Sequence, residues 1–261
     1  MGALGAHDRR SLSVLGFRVQ PLDMGAAVAA CLEAIDQRRP VSIGVLNAAK
    51  IVHTRRDPTL KAALQGCDLL LADGQSVVWA GRLLGVPLPE RIAGIDLFLE
   101  LLAAAERRGD RVFLLGARSD VLDRVRAHLH RDFPGLILAG ARDGYFSEDA
   151  EPAVAAEIRR SAADMLFVAM SSPKKERFLA RWQSTMQVPV CHGVGGSFDI
   201  VAGKTKRAPR VWQRLGLEWL YRLLQEPGRL WKRYLITNTV FTGLVLREVI
   251  TRRRAPRQLG T

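Results

Sequence analysis

Residues 68–84 read DLLLADGQSVVWAGRLL. A short apolar run, Asp68–Ala72, is followed at once by Asp73-Gly74 and then by a helix-length stretch from Gln75 to Leu84. A brief apolar run bounded by turn residues reads as a strand buried on both faces. The same pattern recurs along the chain. Ser42–Leu46, Arg111–Leu115, Leu136–Ala139, Met165–Ala169 and Val188–His192 read as five further strands. Helix-length segments lie between most of them: Ala48–Leu64, Gly94–Arg108, Asp120–Arg131, Glu148–Ser161 and Lys174–Trp182. Arg107-Arg108-Gly109 is a good stop signal for the second of these. Regular alternation of this kind predicts an α/β fold, a Rossmann-like parallel sheet with helices on both faces. Leu12–Val19 is a candidate for one more strand.

The chain has 261 residues, 48% apolar and 25% charged. That suits one large domain, or one domain with an appendage, and excludes a disordered or collagen-like chain. Cys31, Cys67 and Cys191 are odd in number and lack C-x-x-C spacing, which argues against a disulfide framework or structural zinc and fits a reducing cytosol. His7-Asp8-Arg9-Arg10 breaks up the N-terminal apolar residues, so no secretory signal is expected.

The net charge of +13 is unevenly placed. Residues 1–203 hold 25 Lys/Arg against 23 Asp/Glu, whereas residues 204–261 hold 14 against 3. The division expected is an α/β domain, 1–208, whose first 203 residues are nearly neutral, and a basic helical appendage, 209–261. Trp212, Leu215, Trp219, Leu220, Leu223 and Leu224 recur at helical spacing, with Arg210, Arg214 and Arg222 interleaved, and Pro227 opens a second segment. Basic, Trp-bearing amphipathic helices suit an anionic membrane surface. The plainer alternative is that they close over the body with their cations in water. Nucleic acid is disfavoured, because no zinc finger, helix-turn-helix or RNP signature accompanies the charge. The longest apolar run, Leu235–Leu246, is 12 residues and too short to span a bilayer, so it should lie on a membrane or pack on protein.

A parallel sheet takes its ligands beyond the carboxyl ends of its strands. The residues there are Asn47, Asp73-Gly74, Gly116, Arg142–Tyr145, Ser171–Lys175 and Gly193–Ser197. Asp73, at a partly desolvated edge, could accept a proton from a bound hydroxyl, or could simply cap the helix after it. Gly193, Gly195 and Gly196 could bring backbone N–H groups close to a phosphate, or form a tight turn; the string departs from G-x-G-x-x-G at Phe198. Lys174 and Lys175 could neutralise a diphosphate or stand in solvent. No D-x-D occurs, so a departing nucleoside diphosphate would depend on cations and backbone donors. The five histidines show no zinc-ligand grouping, and neither a metal nor a cofactor is expected.

Taken together, VLNAAKIV (45–52), LLADGQSVVWA (70–80), ERIAGIDL (90–97), VFLLGA (112–117), DGYF (143–146), SSPKKERF (171–178), GVGGSFDIVAGKTKRAP (193–209) and GLEWLYRLLQEPGRLWKRYL (216–235) resemble the WecG/TagA/CpsF glycosyltransferases, glycosyltransferase family 26. The resemblance runs from about Leu15 to Tyr234. It implies an inverting, metal-independent enzyme that moves a sugar from a UDP-sugar to a polyprenyl-diphosphate-linked saccharide. The setting implied is the cytoplasmic face of the plasma membrane, in bacterial surface-polysaccharide assembly. It also implies roles: Asp73 as base, Asn47 in the active site, Arg91 near the substrate phosphates, and Arg222, Arg229 and Arg233 at the lipid-linked diphosphate. Gly116, Lys174, Lys175 and the 193–196 glycines are expected at the donor diphosphate. One departure stands out. The family pattern G-S-P-K-Q-E has Ser171 for its Gly and Lys175 for its Gln, which leaves the donor sugar open. The competing reading is a UDP-binding peripheral membrane protein that transfers nothing.

Overall fold

The structure, a computed structural model, describes residues 12–254. A hairpin, β1 (Leu12–Val14) and β2 (Phe17–Val19), precedes α1 (Met24–Asp36), β3 (Val41–Leu46), α2 (Ala48–His53), α3 (Pro58–Gln65) and β4 (Leu69–Ala72). Next come α4 (Gln75–Leu83), α5 (Gly94–Arg108), β5 (Arg111–Gly116), α6 (Ser119–Asp132), β6 (Ile137–Arg142) and α7 (Glu151–Arg160). The body closes with β7 (Met165–Ala169), α8 (Lys174–Met186), β8 (Val190–Gly193) and α9 (Ser197–Val201). Three tail helices follow: α10 (Arg210–Arg214), α11 (Glu218–Gln225) and α12 (Pro227–Arg254).

Six strands form one parallel sheet in the order β4-β3-β8-β7-β5-β6, the α/β architecture that the apolar runs predicted. β3, β4, β7 and β8 are buried along their whole length, as strands covered on both faces must be. One face carries α1, α5 and α6 over Ile43, Leu114 and Phe167. The other carries α7 and α8 over Leu115 and Val168, and α2, α4 and α12 over Leu46 and Leu70. β3 and β8 are neighbours in space but far apart in sequence, so the crevice above their ends draws on both halves of the chain.

Three local readings change. Leu12–Val19 is not a strand of the main sheet but a separate two-stranded hairpin. Leu15 and Gly16 both take positive φ (52° and 81°), the turn geometry whose twist matches a hairpin. Ala48–Leu64 is two helices, because Pro58 cannot continue the first and Asp57 caps the second, its Oδ1 accepting from Leu60 N at 2.9 Å. The single helical pattern of Pro209–Glu226 is also two helices. They are parted at Gly216, whose φ is +71° and whose hydrogen lies so close to Gln75 that a Cβ would meet Cγ at 2.6 Å.

The tail packs on the body along one side. Phe241 and Val245 of α12 are buried with Leu46, Ile51 and Val77, and Leu230 is buried near the start of α12. Trp219 of α11 packs edge-on against Tyr234 of α12, ring centres 5.8 Å apart. The outer side of α12 leaves Trp231, Leu235 and Ile236 exposed. Among the described residues no helix is long and apolar enough to cross a membrane.

Candidate active site

A cleft of about 790 Å³ opens above the carboxyl ends of β3, β4 and β8, with α11 and α12 forming its outer wall. At its floor stands Asp73, the residue after β4. Its Oδ1 accepts from Gly94 N at 3.0 Å and its Oδ2 from Asn47 Nδ2 at 3.2 Å. It does not cap the helix after it, whose N-cap is Gly74 without a side-chain bond, but it does satisfy the first N–H of α5. Asn47 itself caps α2, its Oδ1 accepting from Lys50 N at 3.1 Å. One amide group therefore ends a helix and aims the carboxylate. Gly94, the first residue of α5, is fixed in turn by His192, whose Nε2 lies 3.1 Å from the Gly94 carbonyl oxygen. Burial pushes the His192 imidazole down to about 4, so at neutral pH it is uncharged and donates through Nε2–H.

Opposite Asp73, the glycine loop after β8 lies over Lys175. A Cβ on Gly193, the last residue of β8, would stand 3.1 Å from Lys175 Cδ, so any larger residue there would press on the lysine chain. Lys175 Nζ is 3.0 Å from Glu176 Oε1, and Lys50 Nζ is 3.1 Å from the same oxygen. All three side chains are buried. Burial lowers the Lys175 ammonium below its usual range and Lys50 adds to this, with Glu176 opposing. Burial alone would raise Glu176, but the two lysines hold it below the usual carboxylate range. Two cations on one carboxylate leave an excess positive charge under the loop, where an anionic ligand group would be favoured.

Residues 12–255 match the glycosyl transferase WecG/TagA/CpsF family. The chain belongs to that family. It is 39% identical over 214 residues, 82% of each chain, to an N-acetylglucosaminyldiphosphoundecaprenol N-acetyl-beta-D-mannosaminyltransferase of Bacillus spizizenii. A Bacillus subtilis protein of the same description is 38% identical over 201 residues, 77% of each chain. The resemblance read from the motifs is thereby borne out: the chain is a glycosyltransferase, and the reading as a non-catalytic binder falls.

Not every residue singled out in this glycosyltransferase meets in the cleft. Asn47, Asp73, Arg91, Lys175, Gly193, Gly195, Gly196, Arg222 and Arg233 line it. Gly116 and Lys174 are not among the lining residues. Gly116 takes φ 126°, and a Cβ there would come 2.5 Å from the Ala169 carbonyl, so close strand approach accounts for this glycine. Lys174 donates from Nζ to the carbonyls of Gly144 and Phe146, each at 3.1 Å, and lies over the Phe146 ring. The Arg229 side chain lies outside the described residues.

The largest addition is a charge network that sequence reading missed. Arg91 Nη1 is 3.0 Å from Glu218 Oε2, and Arg207 pairs with Asp96 at 2.6 Å while reaching toward Glu218 at 3.9 Å. Glu218 opens α11, so an acid from the tail holds the arginine at the cleft edge. It is one of three acids among the 17 charged residues of 204–261, and that rarity was the available signal. Among the described residues, no three His, Cys, Asp or Glu side chains converge to hold a metal ion.

Proposed function

We propose that this glycosyltransferase moves a sugar, with inversion and without a metal, from a UDP-sugar to a polyprenyl-diphosphate-linked saccharide, in assembly of a bacterial surface polysaccharide. The observation that carries the reading is Asp73: a carboxylate aimed by Asn47 and Gly94 into a cleft whose facing side holds the glycine loop and Lys175. Asp73 takes the proton of the acceptor hydroxyl as its oxygen attacks the anomeric carbon. The bond to the UDP oxygen breaks on the opposite face. The Gly196 backbone N–H and the Lys175 ammonium meet the departing diphosphate, since the Val194 and Gly195 N–H groups are taken by the Val168 carbonyl, and Asp73 then releases its proton to water. Lys174, tied to two carbonyls, leaves that work to Lys175. The relatives' names give an acceptor built on diphosphoundecaprenol and a β-linked N-acetylmannosaminyl product, which supports this acceptor class and makes N-acetylmannosamine the first donor sugar to test.

The tail, residues 209–261, works as an appendage that meets the cytoplasmic face of the plasma membrane. Trp231, Leu235 and Ile236 face outward on α12, with the Lys232 ammonium over the Trp231 ring, an arrangement suited to headgroup depth. Arg222 and Arg233, at the cleft, take the acceptor diphosphate. The test is a panel of UDP-sugars with and without a prenyl-diphosphate N-acetylglucosamine acceptor, in chelator, reading UDP release and the anomeric configuration of the product. Acceptor-dependent release from one donor with an inverted linkage is expected. A retained linkage, or activity lost in chelator and restored by a divalent ion, would overturn the mechanism.

A further inference from the structure

The cleft is charged at one end only. Asp73, Lys175, Arg222 and Arg233 mark that end. The cavity continues as a trough between α4 and α12, where Trp79 and Leu83 on one side face Phe241, Thr242, Val245 and Leu246 on the other. None of these six is ionisable. We propose that this trough is a lane for the first isoprenoid units of the acceptor, so that the enzyme binds the prenyl chain itself as well as the headgroup. The inference rests on the acceptor class proposed above.

α4 and α12 share one apolar cluster, Val77 with Phe241 and Val245, and so wall the trough from two sides. At the charged end, Gly216, in the turn before α11, presses against Gln75, the first residue of α4. At the far end, Arg252 of α12 donates from Nη1 to the carbonyl of Leu84, just past α4, at 2.8 Å. From Tyr234 to Leu246, α12 advances about 18 Å at 1.5 Å per residue. Large apolar side chains stay open to water along this path: Leu83 is 67% exposed, Leu246 57% and Trp79 47%. Contiguous exposed apolar surface in a concave site marks a binding surface. A nucleotide sugar has one flat base to stack on such walls and no extended hydrocarbon to fill them. An amphiphile with its diphosphate between Arg222 and Arg233 places its hydrocarbon here. The trough is also distinct from the outward side of α12: Trp231, Leu235 and Ile236 do not line it.

The test uses acceptors with one headgroup and prenyl chains of increasing length, kept monomeric and free of vesicles. For the wild-type enzyme, KM should fall at least ten-fold from the shortest chain to one long enough to fill the trough. In the double variant Leu83→Glu with Leu246→Glu that gain should vanish. Both sites are more than half exposed, so the fold should persist, checked by thermal unfolding. A wild-type KM independent of chain length would overturn the lane. So would a length dependence that survives in the variant, or an effect of the variant confined to vesicle-borne acceptor, which would make the trough a membrane contact. Transfer by wild type to no acceptor of any length would instead remove the acceptor reading on which the lane depends.

Discussion

Asn47 and Asp73 stand at the ends of adjacent parallel strands, and the Asn47 amide donates to the Asp73 carboxylate at 3.2 Å while its oxygen caps α2. The double use separates two substitutions. Asn47→Ala loses the cap, costing about 1 kcal/mol. Asn47→Asp keeps a capping oxygen but sets a second carboxylate against Asp73. We expect the alanine variant to lose the stability of the cap in urea at any pH, and the aspartate variant to approach wild-type stability only in acid, where one of the two carboxyls holds a proton, while losing at least ten-fold in transfer rate at neutral pH.

Glu176 is the shared partner of two buried ammonium groups. Glu176→Gln leaves Lys50 and Lys175 facing each other without a compensating charge and should destabilise the fold by roughly 3–5 kcal/mol. Lys175→Gln leaves Lys50 and Glu176 as a balanced pair, so its denaturation midpoint should stay near wild type. Its affinity for UDP should fall about ten-fold. Calorimetric titration with UDP beside urea unfolding of both variants checks the contrast.

His192 makes stability depend on acid. Its folded value is about 4 against an ordinary 6.5. Below 6.5 the unfolded chain gains a proton that the folded chain refuses, so this stabilisation is complete above 6.5 and is lost as pH falls toward 4. The loss across that window is about 3 kcal/mol. His192→Gln can still donate to the Gly94 carbonyl but does not titrate. The difference in unfolding free energy between the two proteins should therefore slope between pH 6.5 and 4 and be flat above.

Gly116 illustrates a glycine kept for packing. Its left-handed φ and the nearness of the Ala169 backbone predict that Gly116→Ala costs at least about 2 kcal/mol, read from the denaturation midpoint.

The sheet was legible because its strands are buried on both faces and so read as unbroken apolar runs, as at Met165–Ala169, where the expected and observed bounds agree. Breaks set by single turns were harder: Pro58 and Gly216 each divide what periodicity alone joins. At the site, the strand-end rule located Asp73, Asn47 and the glycine loop, since topology places those positions whatever the side chains do. It could not separate Lys174 from Lys175. Neighbours on a helix point about 100° apart, and only the three-dimensional placement of Gly144 and Phe146 shows that one is occupied elsewhere. Glu218 and His192 were invisible for a related reason, as their partners Arg91 and Gly94 lie about a hundred residues away or more.

The most direct test of the central claim is the single-turnover rate of sugar transfer by wild type and Asp73→Asn, with donor and acceptor saturating and both proteins shown to unfold at the same temperature. The account predicts a fall of at least about 10² in the variant, the ordinary worth of general-base assistance. A rate within a few-fold of wild type would contradict it and move the proton acceptor elsewhere in the cleft.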